Sequence, residues 1–289
     1  MLCAARVPTR IDLFASILAL APLASVAWHL AGVPRVVVLD ATLPTVGYLR
    51  LLLWIARRSR VRLRPQMVAF ALLWGAGVAA PGAGLVNEVL QRYRAEAAEW
   101  LLTVTGVPPV EEAAKAAMLL VVIAVWPTEV RGVRAGIVTG ALIGLGFGFF
   151  ENVGYFLLAG VQEGQVGFVR AIAVRGFLEG AVHPVFSASA GAGFGIRRAT
   201  ATGRGRLRPA LVGFGAAVAQ HAVWNGLASP AVSAILCNGV GPSGACRGSA
   251  DPYRLLVAVP LVVAATLAPG VVTLAALAWR ARSPVGPPR

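Results

Sequence analysis

Pro109-Val110-Glu111-Glu112-Ala113-Ala114-Lys115 begins an apolar run that ends at Pro127. The 19 residues from Pro109 to Pro127 would form about 28 Å of helix, which barely crosses the hydrocarbon core of a bilayer. Two carboxylates and an ammonium group therefore lie in a membrane-spanning segment or at its boundary, where ionisable groups are costly and usually functional. An ordinary helix start is a second interpretation, because proline followed by carboxylates suits the positive end of a helix dipole.

The rest of the chain is as apolar as this run. Of its 289 residues, 57% are hydrophobic and 13% are charged, against about 25% charged residues in soluble domains. We predict an all-α fold, a polytopic helical membrane bundle with about eight transmembrane helices embedded in the lipid bilayer. The predicted spans are residues 11–33, 36–56, 66–86, 109–127, 135–160, 168–196, 209–227 and 255–279.

The basic residues indicate an orientation rather than a nucleic-acid partner. The formal net charge is +14, but the excess lies in short loops between apolar runs, as cytoplasmic loops require. With both termini placed in the cytoplasm, the inner segments hold 17 arginines and the outer segments hold six. The six outer arginines are Arg35, Arg92, Arg94, Arg170, Arg247 and Arg254.

The first span also has features of a signal peptide, since Arg6 and Arg10 precede it and Ala24-Ser25-Val26-Ala27 lies within it. Its apolar length of 23 residues is longer than a typical signal core, so we expect it to stay uncleaved. The segment 87–106 is polar and helix-prone, and we expect a solvated extension without a site there.

Three segments follow from this pattern. We predict N-terminal helices with an outer extension in residues 1–108, a catalytic four-helix core in 109–228, and an outer loop with the last helix in 229–289.

Cys237 and Cys246 lie in that outer loop, where oxidation is possible. A bridge between them would stabilise the fold by roughly 2 to 3 kcal/mol on the chain-entropy model. Two free cysteines in a flexible loop are the alternative.

The fourth predicted helix carries the glutamate pair. Glu111 and Lys115 are four residues apart, in the favourable order for an intrahelical ion pair. Glu112 points about 100° away from Glu111. We therefore expect one carboxylate to face the bundle interior while Lys115 holds the other.

The fifth predicted helix contains one charged residue, Glu151, after a stripe formed by Gly140, Gly144 and Gly148. Glycines repeated every four residues let another helix approach closely. An unpaired carboxylate in the membrane costs on the order of 2.5 to 3.5 kcal/mol, so Glu151 must have a partner. A purely structural hydrogen bond to a neighbouring helix is the alternative to a functional role.

The sixth predicted helix places Arg175, Glu179 and His183 nearly on one face. Pro184 follows His183 and should kink the helix there. Glu179 either orients His183 or neutralises Arg175, and the sequence leaves both possibilities open.

The seventh predicted helix carries His221 and Asn225, one turn apart on the same face. A lone histidine in an apolar helix is usually structural. Here two histidines on different apolar helices accompany carboxylates on two others, which favours a shared site in the outer half of the bundle.

Such a group of side chains suits hydrolysis. A carboxylate can deprotonate a water molecule held against the histidines, while His or Asn donors stabilise the oxyanion of an attacked amide. The same side chains suit zinc with an open coordination position, and Glu151, His183 and His221 are the predicted ligands. Lys115, Arg175 and Glu179 are predicted to support them.

Four motifs occur in order on separate apolar segments: Glu-Glu-Ala-Ala-Lys at 111–115, Phe-Gly-Phe-Phe-Glu-Asn at 147–152, the Arg175 to His183 spacing, and His-Ala-Val-Trp-Asn at 221–225. Together they resemble the PrsW family of bacterial intramembrane proteases, relatives of the CAAX prenyl endopeptidases. The resemblance covers about 109–227, and the other helices match only as generic spans.

The resemblance implies an intramembrane endopeptidase of the bacterial plasma membrane with its active site toward the extracytoplasmic side. It implies site-1 cleavage of a membrane protein such as a single-pass anti-sigma factor. Glu111 and Glu112 would be the leading catalytic carboxylates, and Glu151 takes the place that histidine holds in the prenyl endopeptidases. His183, His221 and Asn225 complete the implied site, with or without zinc.

Two other functions are compatible with buried Glu, His and Arg residues. A transporter or proton-relay protein would bury them too, but it should show an internal repeat, and the sequence shows none. A catalytically inactive relative that binds membrane partners is the second alternative.

Overall fold

The computed structural model describes residues 10–93, 99–126, 129–200, 207–237 and 253–281. All regular structure within these residues is helical, which confirms the predicted all-α class. The α-helices, in chain order, are α1 (Arg10–Leu30), α2 (Arg35–Arg58), α3 (Pro65–Trp74), α4 (Ala80–Arg92), α5 (Glu99–Leu101), α6 (Val107–Val125), α7 (Val133–Ala171), α8 (Val182–Thr200), α9 (Arg208–Val223), α10 (Ser229–Leu236) and α11 (Val259–Arg280). The π-helical segments are Gly75–Ala79, Leu102–Gly106, Ile172–Leu178, Trp224–Ala228 and Arg254–Ala258.

Four helical stretches in the described part of the chain are long and apolar enough to cross a membrane. They are Arg35–Arg58, Pro65–Arg92, Val133–Arg197 and Arg254–Arg280. The protein is therefore a helical integral membrane protein. The number of eight spans and the cytoplasmic termini stay predictions. The helix with Glu111, Glu112 and Lys115 does not qualify as a span, because it carries three charged residues.

The stretch Val133–Arg197 contains both the fifth and the sixth predicted spans. As one straight helix its 65 residues would be about 98 Å long, more than three times the hydrocarbon thickness. The chain reverses at Gly164, whose φ of 66° and ψ of −154° favour glycine. The rings of Phe156 and Phe168, on either side of this turn, pack with their centroids 6.3 Å apart.

A glycine stripe on α7 determines how closely α8 approaches. A Cβ at Gly140 would lie 2.1 Å from the carbonyl oxygen of Ser187, and one at Gly144 would lie 2.3 Å from that of His183. The prediction of a flat glycine stripe is confirmed at both positions. At Gly148 the contact is looser, since the nearest atom is His183 Cδ2 at 3.5 Å. The stripe thus presses the backbone of His183 against α7.

The N-terminal helices pack directly on the predicted core. Trp74 Nε1 donates a hydrogen bond to the carbonyl oxygen of Ala114 at 3.1 Å, which ties α3 to α6. Phe70 and Met118 are fully buried in the same cluster. The three predicted segments with boundaries at 108 and 228 stay a prediction.

The predicted disulfide involves residues that the structure covers only in part. Cys237 is disulfide-bonded. Cys246, its predicted partner, lies outside the described residues, as does Cys3.

Candidate active site

Helix α6 brings both glutamates into the protein interior. Its start at Val107 is followed by two prolines, which lack the N–H donors that the first helical turn would leave unpaired. Glu111 is 6% exposed, Glu112 is 1% exposed and Lys115 is 2% exposed. The expectation that only one carboxylate would face the interior is wrong.

Lys115 contacts both carboxylates rather than one. Its Nζ lies 2.8 Å from Glu112 Oε1 and 3.6 Å from Glu111 Oε2. Helix geometry explains the difference from the predicted pairing, because residue 115 points between the directions of residues 111 and 112 at 100° per residue. Lys115 Nζ also lies 3.7 Å from the centroid of the Phe147 ring, which stabilises the buried ammonium.

His183 links α8 to α6 and α7. Its Nδ1 lies 3.1 Å from Lys115 Nζ, and its Nε2 lies 2.6 Å from Glu151 Oε2. Because an ammonium group only donates hydrogen bonds, Nδ1 is the acceptor, and the hydrogen on Nε2 points to Glu151. The predicted partner of Glu151 is thus present.

The helix break beside His183 is larger than the predicted kink. The π-helical segment ends at Leu178, and α8 begins at Val182, so residues 179–181 are not helical. Pro184 therefore lies in the first turn of a new helix, where a proline is tolerated. Because of this break, His183 does not lie on one continuous helix face with Arg175 and Glu179. Its side chain contacts Glu151.

Arg175 connects two of the predicted carboxylates. Its Nη2 lies 3.1 Å from Glu151 Oε2, and its Nη1 lies 3.5 Å from Glu179 Oε2. Of the two roles left open for Glu179, the structure shows the contact with Arg175. The guanidinium stacks on Tyr155 at 3.9 Å from the ring centroid.

His221 approaches the glutamate pair from α9. Its Nδ1 lies 3.0 Å from Glu112 Oε1, and its Nε2 lies 3.7 Å from Glu111 Oε2. Since a carboxylate accepts, the hydrogen on Nδ1 points to Glu112 and leaves the Nε2 lone pair toward Glu111. The ring stacks on Phe186 with centroids 5.1 Å apart, and the centroid of His183 lies 5.4 Å away.

A cavity of about 440 Å³ opens onto these groups. Glu111, Glu151, His183, His221 and Asn225 all line it. Glu112 is not among its lining residues and lies behind them, so five of the six predicted catalytic residues share one cavity.

Asn225 is held in this cavity by Thr103, which also lines it. Its Nδ2 donates a hydrogen bond to the carbonyl oxygen of Thr103 at 3.1 Å. This bond joins the π-helical segments Trp224–Ala228 and Leu102–Gly106.

The sequence interpretation missed Asn87 of α4. Its Nδ2 donates to Glu111 Oε1 at 3.3 Å, and the residue lines the cavity, so the expectation of no site in 87–106 is wrong there. Glu88 and Arg92 pair at the exposed surface, as expected for a solvated face. The local sequence does not distinguish Asn87, because Glu88 follows it directly and the segment that it begins is polar.

The donor set can hold a metal ion. Glu111, His183 and His221 each offer a ligand atom, and these atoms lie within 4.8 Å of one another. Glu111 Oε2 is buried, and no hydrogen-bond donor among the described residues reaches it. A carboxylate with two imidazoles is a typical zinc set, so these residues fit a metal. The predicted set had Glu151 in place of Glu111, whereas Glu151 here contacts Arg175 and His183.

Fold and site together define a helical integral membrane protein with a buried Glu/His centre open to a cavity. A family model described as PrsW family intramembrane metalloprotease matches residues 64–267. The chain belongs to this family, which confirms the resemblance and extends it beyond 109–227 at both ends. Neither a search of curated proteins nor a search of solved structures found a match.

Proposed function

We propose that the protein hydrolyses a peptide bond of a membrane-anchored protein in the cavity that contains Glu111, His183 and His221. Family membership supports intramembrane protease activity. The observation that carries the proposed site is the position of Glu111 Oε2 in the same cavity as both histidines. This carboxylate oxygen is buried, and none of the residues that the structure describes donates a hydrogen bond to it. Such an oxygen is available to a metal ion or to a water proton.

In the first arrangement Glu111, His183 and His221 would hold zinc, and one nitrogen of His183 would leave Lys115 or Glu151 to become a ligand. A bound zinc ion supplies a Lewis acid that polarises the scissile carbonyl and makes water more acidic. Glu151, the other carboxylate that lines the cavity, then accepts the proton of the attacking water. Asn225 Nδ2 has two hydrogens, and the one not donated to Thr103 can stabilise the oxyanion.

A second arrangement without metal is favoured by the position of Lys115. Its Nζ lies 3.1 Å from His183 Nδ1 and 3.6 Å from Glu111 Oε2, so a cation already neutralises this part of the site. Glu111 then accepts the water proton itself, while the free hydrogen of Asn225 Nδ2 is donated to the oxyanion. The two arrangements differ in which carboxylate is the base.

We further propose a single-pass substrate, such as an anti-sigma factor, cut near the outer face of a bacterial plasma membrane. The resemblance of the four motifs supports this substrate class. The excess of arginine in the inner segments supports cytoplasmic termini and a site toward the extracytoplasmic side.

Proteomics of membrane-protein fragments tests the proposal and names the substrate. Cells with the wild-type protein are compared with cells that carry Glu111→Gln, and Glu88→Gln serves as the matched control because Glu88 lies on the exposed side of α4. We expect at least one fragment that is present with wild type and Glu88→Gln and lost with Glu111→Gln. Identical fragments in all three would refute the site.

Metal analysis separates the two arrangements. In the first, purified protein contains zinc, and a chelator abolishes cleavage until zinc is restored. In the second, cleavage persists after the chelator has removed all metal.

A further inference from the structure

An apolar groove lies between α2, α7, α8 and α11, and it shares no lining residue with the catalytic cavity. Its volume is about 400 Å³. Leu51, Ile55, Ile137, Val185 and Leu274 give it an apolar lining from four helices. Leu51 and Ile55 are exposed, so the groove is open on the side where α2 would face lipid.

The length of the groove suits an acyl chain. It follows α2 from Tyr48 to Ser59, 11 residue steps or about 16 Å, which matches one leaflet of a hydrocarbon core about 30 Å thick. One extended hydrocarbon chain can therefore lie along it.

One end of the groove is positively charged. Arg134 lines it there, with Nε donating to the carbonyl oxygen of Ala278 at 3.1 Å and Nη1 donating to that of Ser59 at 3.2 Å. These bonds fix the guanidinium where α2 and α11 end and α7 begins.

Further arginines flank this end. Arg58, Arg131 and Arg280 are exposed and lie within three residues of Ser59, Arg134 and Ala278, respectively. The nearby acidic residue Glu129 pairs with Arg64 at 3.3 Å, and no residue that lines the groove is acidic. An apolar groove of one-leaflet length with a cationic end complements an anionic phospholipid.

We propose that this groove binds an acyl chain of an anionic phospholipid, with the headgroup phosphate at the arginine end. The site is independent of the proposed hydrolysis. Pro184 and Val185 line the groove next to His183, so a bound chain also packs against the first turn of α8 from the side opposite the catalytic cavity.

Native mass spectrometry of the full chain tests the proposal. The protein is released from nanodiscs that contain equal amounts of phosphatidylglycerol and phosphatidylcholine, and the retained lipids are counted. Ala275→Trp fills the groove, whereas Ala276→Trp is the matched control, because Ala276 is also an exposed alanine of α11 but does not line the groove. We expect wild type and Ala276→Trp to retain phosphatidylglycerol, and Ala275→Trp to retain about tenfold less. Equal retention by both variants would overturn the site.

Two additional variants keep the test decisive. If Ala275→Trp fails to fold, Ala278→Trp fills the groove from the adjacent turn and must show the same loss. The double variant that combines Arg58→Gln with Arg280→Gln leaves the apolar groove unchanged. It should lower the preference for phosphatidylglycerol over phosphatidylcholine by roughly fivefold per arginine. An unchanged preference, or a wild-type protein that retains the two lipids equally, would refute the anionic specificity.

Discussion

At the residue scale, the site depends on two adjacent glutamates with different surroundings. Glu112 is held by Lys115, by His221 and, at 3.5 Å, by the Ser187 hydroxyl. Glu111 instead lines the cavity, and its Oε2 accepts no hydrogen bond from the described part of the chain. We infer that Glu112 organises the buried charges and that Glu111 takes part in the chemistry.

A double-mutant cycle tests the structural role of Glu112. Glu112→Ala should lower the free energy of unfolding by about 3 kcal/mol or more, because the buried Lys115 ammonium loses its nearest partner. Lys115→Met added to that variant should recover part of the loss, so that the two changes are non-additive by about 1 kcal/mol or more. The measurement is denaturant unfolding in mixed micelles.

The exposed pair Glu88 and Arg92 is the control for this cycle, since it has similar spacing on a helix but faces solvent. Its coupling should stay near 0.3 to 0.5 kcal/mol. A coupling for Glu112 and Lys115 no larger than this value would contradict their role as a buried network.

At the element scale, the glycine stripe of α7 positions His183. Gly144→Ala would bring a Cβ to 2.3 Å from the His183 carbonyl oxygen, and a backbone atom cannot yield as a flexible side chain can. We expect a loss of about 1 to 3 kcal/mol in stability and a fall in cleavage, because α8 moves away from Glu151. Thermal unfolding and fragment release measure the two effects.

Gly215→Ala is the matched control, because a Cβ at this exposed glycine of α9 meets nothing within 4 Å. Stability should change by less than about 1 kcal/mol, with cleavage retained. Equal effects of the two substitutions would show that helix propensity, and not the close approach of α8, decides the outcome.

Sequence patterns could predict the elements better than the contacts between them. Apolar runs indicated the helices, and the spacing of Gly140 and Gly144 indicated a close partner for α7. The predicted pairing of Lys115 with one glutamate was wrong, although the helical spacing of 100° per residue already places residue 115 between residues 111 and 112. Asn87 was missed because its role depends on the packing of α4 against α6, which no local pattern encodes.

At the scale of the whole molecule, the predicted orientation in the membrane rests on the distribution of the arginines. They predict that the C terminus lies in the cytoplasm. A green fluorescent protein fused after Arg289 should therefore fluoresce, while alkaline phosphatase fused at the same position should be inactive, because it matures outside the cytoplasm. The reverse pattern would invert the orientation and place the catalytic cavity toward the cytoplasm.

The central claim is that acidic and imidazole groups from α6, α7, α8 and α9 act together in one water-accessible cavity. The most direct test is a single-turnover cleavage assay of the purified, reconstituted protein with the substrate that fragment proteomics identifies. Glu111→Gln should slow cleavage by about 100-fold or more, whereas Glu88→Gln should leave it unchanged. A Glu111→Gln protein that is folded and cleaves at the wild-type rate would contradict the claim.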